Sequence, residues 1–228
     1  MLLNKNKSGL SALTIAACYQ PKVVSSLLGF VQDNKDKIDP ETIQQIPLNK
    51  TKDGWNALMA AARYQPQAVP SLLDFIKGND DKIDTKTIQQ MLLNKNKGGV
   101  SALMIAACRQ PKVISSLLGF VQDNKDKIDP ETIQQMLLNK TKDGKNVLVL
   151  AAQSQPKAVP SLLDFVNDNK DKLDPETLNQ IIFSCQNGDN ALSLAIKDSE
   201  KHSELISIIE FIDNNIKDFS PKNLCINF

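Results

Sequence analysis

Residues 101–107 read SALMIAA, and this stretch decides the fold because its pattern recurs through the sequence. The matching stretches are SALTIAA at 11–17, NALMAAA at 56–62, NVLVLAA at 146–152 and NALSLAI at 190–196. Their leucines are 45, 45, 45 and 44 residues apart. A period of this length is typical of repeat architectures, in which each unit buries its apolar faces by stacking on its neighbours.

A second level of repetition lies above the first. Residues 2–54 and 92–144 differ at only seven of 53 positions, so a pair of repeats is the unit that duplicated last. We expect one repeat domain over residues 1–228. Its repeats are placed at about 8–52, 53–97, 98–142 and 143–186, followed by a more polar capping repeat at 187–228.

The first two helices of each repeat follow from caps and periodicity. In the second repeat, Asn56 is the expected N-cap of a short first helix, which ends before Gln65–Pro66 because proline disfavours a helical residue before it. The apolar residues at 69, 72, 73 and 76 then lie on one face of a second helix. Pro70 fits within the first turn of that helix, where its missing N–H costs nothing.

A third helix starts at Asp39-Pro40-Glu41, where aspartate caps, proline takes the first helical position and glutamate favours the positive end of the dipole. The equivalent start at Asp84-Thr85-Lys86 lacks the proline and is expected to be weaker. The linker DNKDKI at 33–38 is charged, and we expect it to be solvated.

These residues resemble the ankyrin repeat, a family in which an Asp-Gly turn precedes a first helix with two alanines and a second helix ending in a leucine pair. Leu58, Ala61, Ala62, Leu72 and Leu73 match that register. The match covers about 30 residues of each repeat. The resemblance implies an all-α solenoid of stacked ankyrin-like helical repeats, with an extra short third helix in place of the usual hairpin finger. An armadillo-like stack of three-helix repeats is the alternative fold.

The resemblance also implies a function. We expect a non-enzymatic protein–protein interaction module or scaffold that recognises a partner through the concave face of the first helices. Irregular ankyrin arrays resemble effectors that intracellular bacteria secrete into host cells, so the chain is interpreted as part of such an effector. A structural spacer within a larger repeat protein is the alternative. An enzyme, with its site in 202–228, is the third interpretation.

Candidate contact residues occupy positions that vary between otherwise similar repeats. They lie at the end of the first helix or just before it: Trp55, Arg63, Tyr64, Tyr19, Arg109 and Lys145. Tryptophan, tyrosine and arginine dominate binding hot spots, so these six are the predicted partner-binding residues. The alternative is structural, with Trp55 packed on the neighbouring turn and Tyr64 covering a helix end.

Composition excludes several classes of function. The 228 residues carry 27 Lys plus Arg and 26 Asp plus Glu, a net charge of +1 that argues against a broad nucleic-acid footprint. No apolar run reaches the ~20 residues that span a bilayer, so we expect no membrane insertion. We also expect no cofactor, no metal site, no small-molecule substrate and no catalytic residue. The single histidine, His202, has no spaced partner for a metal and is interpreted as a surface residue.

The four cysteines show no Cys-x-x-Cys pair, which indicates a reducing, cytoplasmic compartment or delivery to a host cytosol. Cys18 and Cys108 lie near the expected ends of first helices, where the dipole disfavours a thiolate. Residues 1–5 align with residues 91–95, the end of a third helix. We therefore expect the chain to come from a longer array, or its first repeat to dock on another surface.

Overall fold

The computed structural model describes residues 3–184, 189–197, 202–215, 217 and 219, and this part of the chain is all-helical. In chain order its helices are α1 (Ala12–Tyr19), α2 (Pro21–Asp33), α3 (Pro40–Leu48), α4 (Ala57–Tyr64), α5 (Val69–Lys77), α6 (Thr85–Leu93), α7 (Ala102–Arg109), α8 (Pro111–Asp123), α9 (Pro130–Leu138), α10 (Val147–Ser154), α11 (Val159–Asp168), α12 (Pro175–Phe183), α13 (Ala191–Lys197) and α14 (His202–Asn214). Single 3₁₀ turns cover Pro66–Ala68, Pro156–Ala158 and Lys170–Lys172.

Helices in equivalent positions of successive repeats pack on one another and form three rows. The first row is α1, α4, α7, α10 and α13, and the second is α2, α5, α8, α11 and α14. The third row is α3, α6, α9 and α12. The core runs through all three rows, so each repeat completes the burial of its neighbour. The expected repeat and domain boundaries stay a prediction.

The first helices begin and end where local chemistry predicts. The side chain of Asn56 accepts a hydrogen bond from the backbone N–H of Met59 at 2.9 Å, which confirms the N-cap. Gln65 follows the last residue of α4, and its N–H bonds back to the carbonyl of Ala61 at 2.8 Å. The chain then turns at Pro66.

The second helices differ between alternate repeats. In the first and third repeats, α2 and α8 begin directly at a proline. In the second repeat a 3₁₀ turn comes first, and α5 begins at Val69 with Pro70 in its first turn, as predicted. A continuous helix from Pro66 would need an N–H at residue 70 to bond the carbonyl of residue 66, and proline has none.

The start of the third helix in the second repeat is not weaker, contrary to our expectation. Asp84 accepts a hydrogen bond from the N–H of Thr87 at 2.7 Å, whereas Asp39 accepts one from Thr42 at 3.1 Å. The aspartate alone satisfies the free backbone donor, so proline at the next position is not required.

The linkers between second and third helices are not simply solvated, which corrects a second expectation. Asn79 and Asn169 are buried, and each donates to the carbonyl four residues before it at 2.8 Å. Each also donates to a glutamine of the preceding repeat, Gln32 at 2.5 Å and Gln122 at 3.3 Å. Stacking brings each linker against the linker and the second helix of the preceding repeat, so their polar groups bond to each other.

Candidate functional site

The six predicted contact residues lie at the ends of the first helices or just before them, and we name these positions the variable edge. Tyr19, Tyr64 and Arg109 are the last residues of α1, α4 and α7. Arg63 comes just before the end of α4, and the remaining two, Trp55 and Lys145, each precede the N-cap of a first helix. Because the first helices form one row, these positions recur side by side along the edge.

Trp55, Arg63 and Tyr64 form one cluster. The guanidinium carbon of Arg63 is 5.4 Å from the centroid of the Trp55 ring and 5.3 Å from that of Tyr64. The two rings are 6.3 Å apart and inclined at 33°. A cation within about 6 Å of an aromatic ring is attracted by the ring's quadrupole, so the two rings hold the guanidinium in place.

The cluster is open to solvent on one side. Tyr64 is exposed, while Trp55 and Arg63 are half-buried. Within the described part of the chain, no carboxylate forms an ion pair with Arg63. Its N–H groups therefore keep the capacity to bind an acceptor supplied from outside.

The same two positions are occupied by a different pair in other repeats. Lys145 donates to the side-chain oxygen of Gln153 at 2.7 Å. These two residues are eight positions apart, the same spacing as Trp55 and Arg63. In the last repeat Lys197 forms an ion pair with Asp189 at 2.5 Å, again eight residues apart. Sequence reasoning named the variable positions but not their pairing across the first helix, which the eight-residue spacing could have indicated.

Tyr19 and Arg109 are exposed at their helix ends and lie outside the aromatic cluster. The positive charges of Arg109 and Lys145 both act on the thiol of Cys108. Burial is the larger effect, and it raises the pKa of Cys108, as it raises the pKa of Cys18. Neither thiol is activated as a nucleophile, and the main cause is desolvation rather than the helix dipole alone.

Stacked turns beside the first helices carry a concentration of positive charge. Residues 4–10, 49–55, 94–100 and 139–145 contain nine lysines and two aspartates. Successive turns are joined: Lys5 Nζ donates to the carbonyl of Lys50 at 2.7 Å, and Lys97 Nζ pairs with Asp53 at 3.0 Å. We name these four turns the basic ridge. The net charge of +1 therefore does not reveal that lysines outnumber aspartates in these turns.

The first helices of the second, third and fourth repeats have no exposed concave face, which corrects the predicted binding surface. All six residues from 57 to 62 of α4 are buried, as are those from 102 to 107 and from 147 to 152. These helices pack on one another along the row, and α9 also packs on α10 and α12 on α13. The neighbouring helices therefore bury the first-helix residues that the ankyrin resemblance led us to expect at the binding surface.

Other expected absences are not decided by the structure. Within the described ranges no three His, Cys, Asp or Glu side chains come together as a metal site. The same ranges contain no helix with the length and apolar character needed to cross a membrane. The side chain of His202, residues 220–228, Cys185 and Cys225 lie outside the described residues, and the expected compartment stays a prediction.

Comparisons with known proteins add little. No family model matches the chain, and no curated protein matches it. Among solved structures, one match is described as the Bd0816 predatory endopeptidase from Bdellovibrio bacteriovorus in complex with the immunity protein Bd3460. The identity is 20%, the match covers 91% of this chain and 99% of the matched chain, and the TM-score is 0.35. A likeness at that TM-score does not assign a fold.

The interpretation of the chain as a scaffold that uses the concave first-helix face, within a secreted effector, is wrong. The burial of the first helices removes the surface on which that interpretation depended.

Proposed function

We propose that this protein binds one protein partner through the variable edge, with Trp55, Arg63 and Tyr64 at the centre of the contact. The proposal differs from the corrected interpretation in its surface, which lies at the ends of the first helices and not on their faces. It also involves a single partner and no scaffold.

The observation that carries the proposal is the Arg63 guanidinium in contact with two rings and without a carboxylate partner among the described residues. The rings restrict its motion, so less side-chain entropy is lost when a partner binds. Its free N–H groups match a carboxylate in the two-point geometry that arginine favours. Tryptophan, tyrosine and arginine together are the residue types that contribute most to interface hot spots.

The basic ridge supports an acidic contact surface on the partner. Its nine lysines are opposed by only two aspartates, and Lys97 already pairs with Asp53. Such a potential accelerates encounter with a negatively charged surface, and salt weakens the effect.

We further propose that the three rows form an elongated solenoid of ankyrin-like repeats. Support comes from the ankyrin register, because Leu58, Ala61, Ala62, Leu72 and Leu73 are all buried between neighbouring repeats. The third helix is the main departure from that family. It brings each unit closer to the three-helix repeats of the armadillo-like alternative.

The test is affinity capture from a lysate of the source cells, followed by a binding measurement with the purified captured protein. Three baits are compared: the natural chain, Arg63→Ala, and the matched control Lys86→Ala. Lys86 is exposed on α6, and its substitution removes the same unit of charge away from the variable edge. We expect Arg63→Ala to raise the dissociation constant about 30-fold or more, the effect of losing a hot-spot residue.

Lys86→Ala should bind as the natural chain does. The affinity should also fall as salt is added, because both arginine and ridge contacts are charged. Equal binding by all three baits would refute the proposal. Trp55 is the only tryptophan of the chain, so its fluorescence reports directly whether the partner occupies the cluster.

A further inference from the structure

Three apolar side chains of the first repeat are exposed although identical residues 90 positions later are buried. The exposed fractions are 38% for Ile15, 37% for Val23 and 58% for Phe30, against 3%, 2% and 2% for Ile105, Val113 and Phe120. Local sequence differs little between these repeats, so it does not explain the difference. The neighbour does, because α7 and α8 pack on α4 and α5 of the preceding repeat.

The exposed side chains therefore form one half of the interface that joins repeats inside this chain. We name Ile15, Val23 and Phe30 the leading face. At every junction within the chain this half is covered by the repeat before it. The phenylalanines at 75, 120 and 165, which correspond to Phe30, are all buried.

The last repeat exposes the other half of the same interface. Asn215 donates to the carbonyl of Phe211 at 2.8 Å, as Asn169 does to that of Phe165, which sets the register between α14 and α11. In this register Ile209 corresponds to Leu163. The motif pattern likewise aligns Ile196 with Ala152. Ile209 and Ile196 are each 46% exposed, whereas Leu163 is 3% and Ala152 1% exposed. We name these two isoleucines the trailing face.

Internal junctions show how the two faces meet. Leu28 and Phe75 line one groove between α2 and α5, and Leu118 and Phe165 line the equivalent groove between α8 and α11. The junction between α11 and α14 repeats the arrangement with Leu163 and Phe211. Each of these three junctions thus places an aliphatic side chain of one repeat beside a phenylalanine of the next. The trailing face offers Ile209 as the aliphatic residue, and the leading face offers Phe30.

We propose that the leading face of one copy of this chain packs on the trailing face of a second copy, head to tail. Phe30 of one copy then contacts Ile209 of the other, continuing the inter-repeat interface from chain to chain. This contact is heterologous, so each added copy leaves one leading and one trailing face free. The protein should therefore form a concentration-dependent ladder of oligomers rather than a single dimer. The proposal does not depend on partner binding at the variable edge.

The test uses the full chain and measures molar mass by light scattering after size exclusion, between about 1 µM and about 100 µM, a range that reveals a micromolar dissociation constant. Phe30→Glu blocks the leading face and Ile209→Glu the trailing face, since an unpaired carboxylate is costly to bury. Each variant alone should be monomeric. An equimolar mixture should give a one-to-one dimer and nothing larger, because the mixture retains one usable junction.

A control variant carries the same charge at an exposed position outside both faces. Gln90→Glu lies on α6 in an inner repeat, away from the residues of both faces. It should associate as the natural chain does, and circular dichroism checks that every variant is folded. A natural chain that stays monomeric throughout the range would overturn the proposal. So would association of either blocked variant alone, which would indicate a symmetric dimer, or a mixture that gives only monomers.

Discussion

Replacing Asn56 by alanine should destabilise the fold by more than the loss of one helix N-cap. The side chain is fully buried, and its oxygen accepts a hydrogen bond from the N–H of Met59 at 2.9 Å. Its amide nitrogen donates to the carbonyl of Met91 at 3.2 Å. Met91 lies near the end of α6, where carbonyls have no partner within the helix. One side chain therefore caps the start of α4 and the end of α6.

The cost follows from these two bonds. Loss of the N-cap costs about 1 kcal/mol. Leaving the buried carbonyl of Met91 without a donor adds about 1–3 kcal/mol. We therefore expect Asn56→Ala to lower the free energy of unfolding by about 2–4 kcal/mol, a large fraction of the stability of a domain.

Two comparisons isolate the second bond. Ser101 occupies the equivalent position in the third repeat and caps Met104 at 3.4 Å, so Ser101→Ala removes a cap alone and should cost about 1 kcal/mol. Asn56→Ser keeps a capping oxygen but loses the donor to Met91, and its cost should lie between the other two. The free energies come from urea unfolding followed by circular dichroism. If Asn56→Ala cost no more than Ser101→Ala, the link between α4 and α6 would not contribute to stability, and the reasoning would fail.

Three further predictions rest on matched sites. Phe120→Ala should lower the free energy of unfolding by about 3–5 kcal/mol in the same assay, because the ring is buried. Phe30→Ala should lower it by less than ~1 kcal/mol at concentrations where the chain is monomeric, because that ring is exposed. Equal costs would show that the first repeat is covered in solution. Gly54 has φ +84°, and a β-carbon there would lie 3.1 Å from the carbonyl oxygen of Lys95. Gly54→Ala should therefore destabilise the fold by about 1–3 kcal/mol. Gly29 lies in a helix with open space around it, so Gly29→Ala should stabilise the fold by up to ~1 kcal/mol. Hydrogen bonds from the N–H of Thr132, its hydroxyl and the amide of Gln89 hold the pKa of Asp129 below its ordinary value. The stabilisation is therefore present above about pH 4 and lost as the pH falls through the folded pKa. Asp129→Asn caps the helix at every pH, so it should reduce the fall of the urea midpoint on the acid side.

Periodicity and caps determined most of the local structure. The start of α4 at Asn56, its end before Gln65–Pro66 and the place of Pro70 all follow from interactions within a few residues. Such interactions depend on neighbouring residues alone, so a sequence read by itself contains them. The variable positions of the edge could also be found in this way, because variation stands out against a near-identical background.

The weaker helix start expected at Asp84 was a local error, whereas the other expectations that failed depended on distant neighbours. The predicted binding face on the first helices is buried because neighbouring helices pack around it, and the charged linkers bond to one another because stacking brings them together. The contact of Arg63 with both rings likewise depends on side-chain directions that spacing along the chain does not specify.

Phe30 and Phe120 show where the division lies. The sequence by itself determined that both are apolar residues on the same face of a second helix, since hydrogen bonding and periodicity act within a few turns. Only the tertiary structure decided that Phe120 is buried and Phe30 exposed, because burial is set by whichever surface packs against the helix. Among the described residues α8 packs on α5 of the repeat before it, whereas the side of α2 that carries Phe30 is left uncovered.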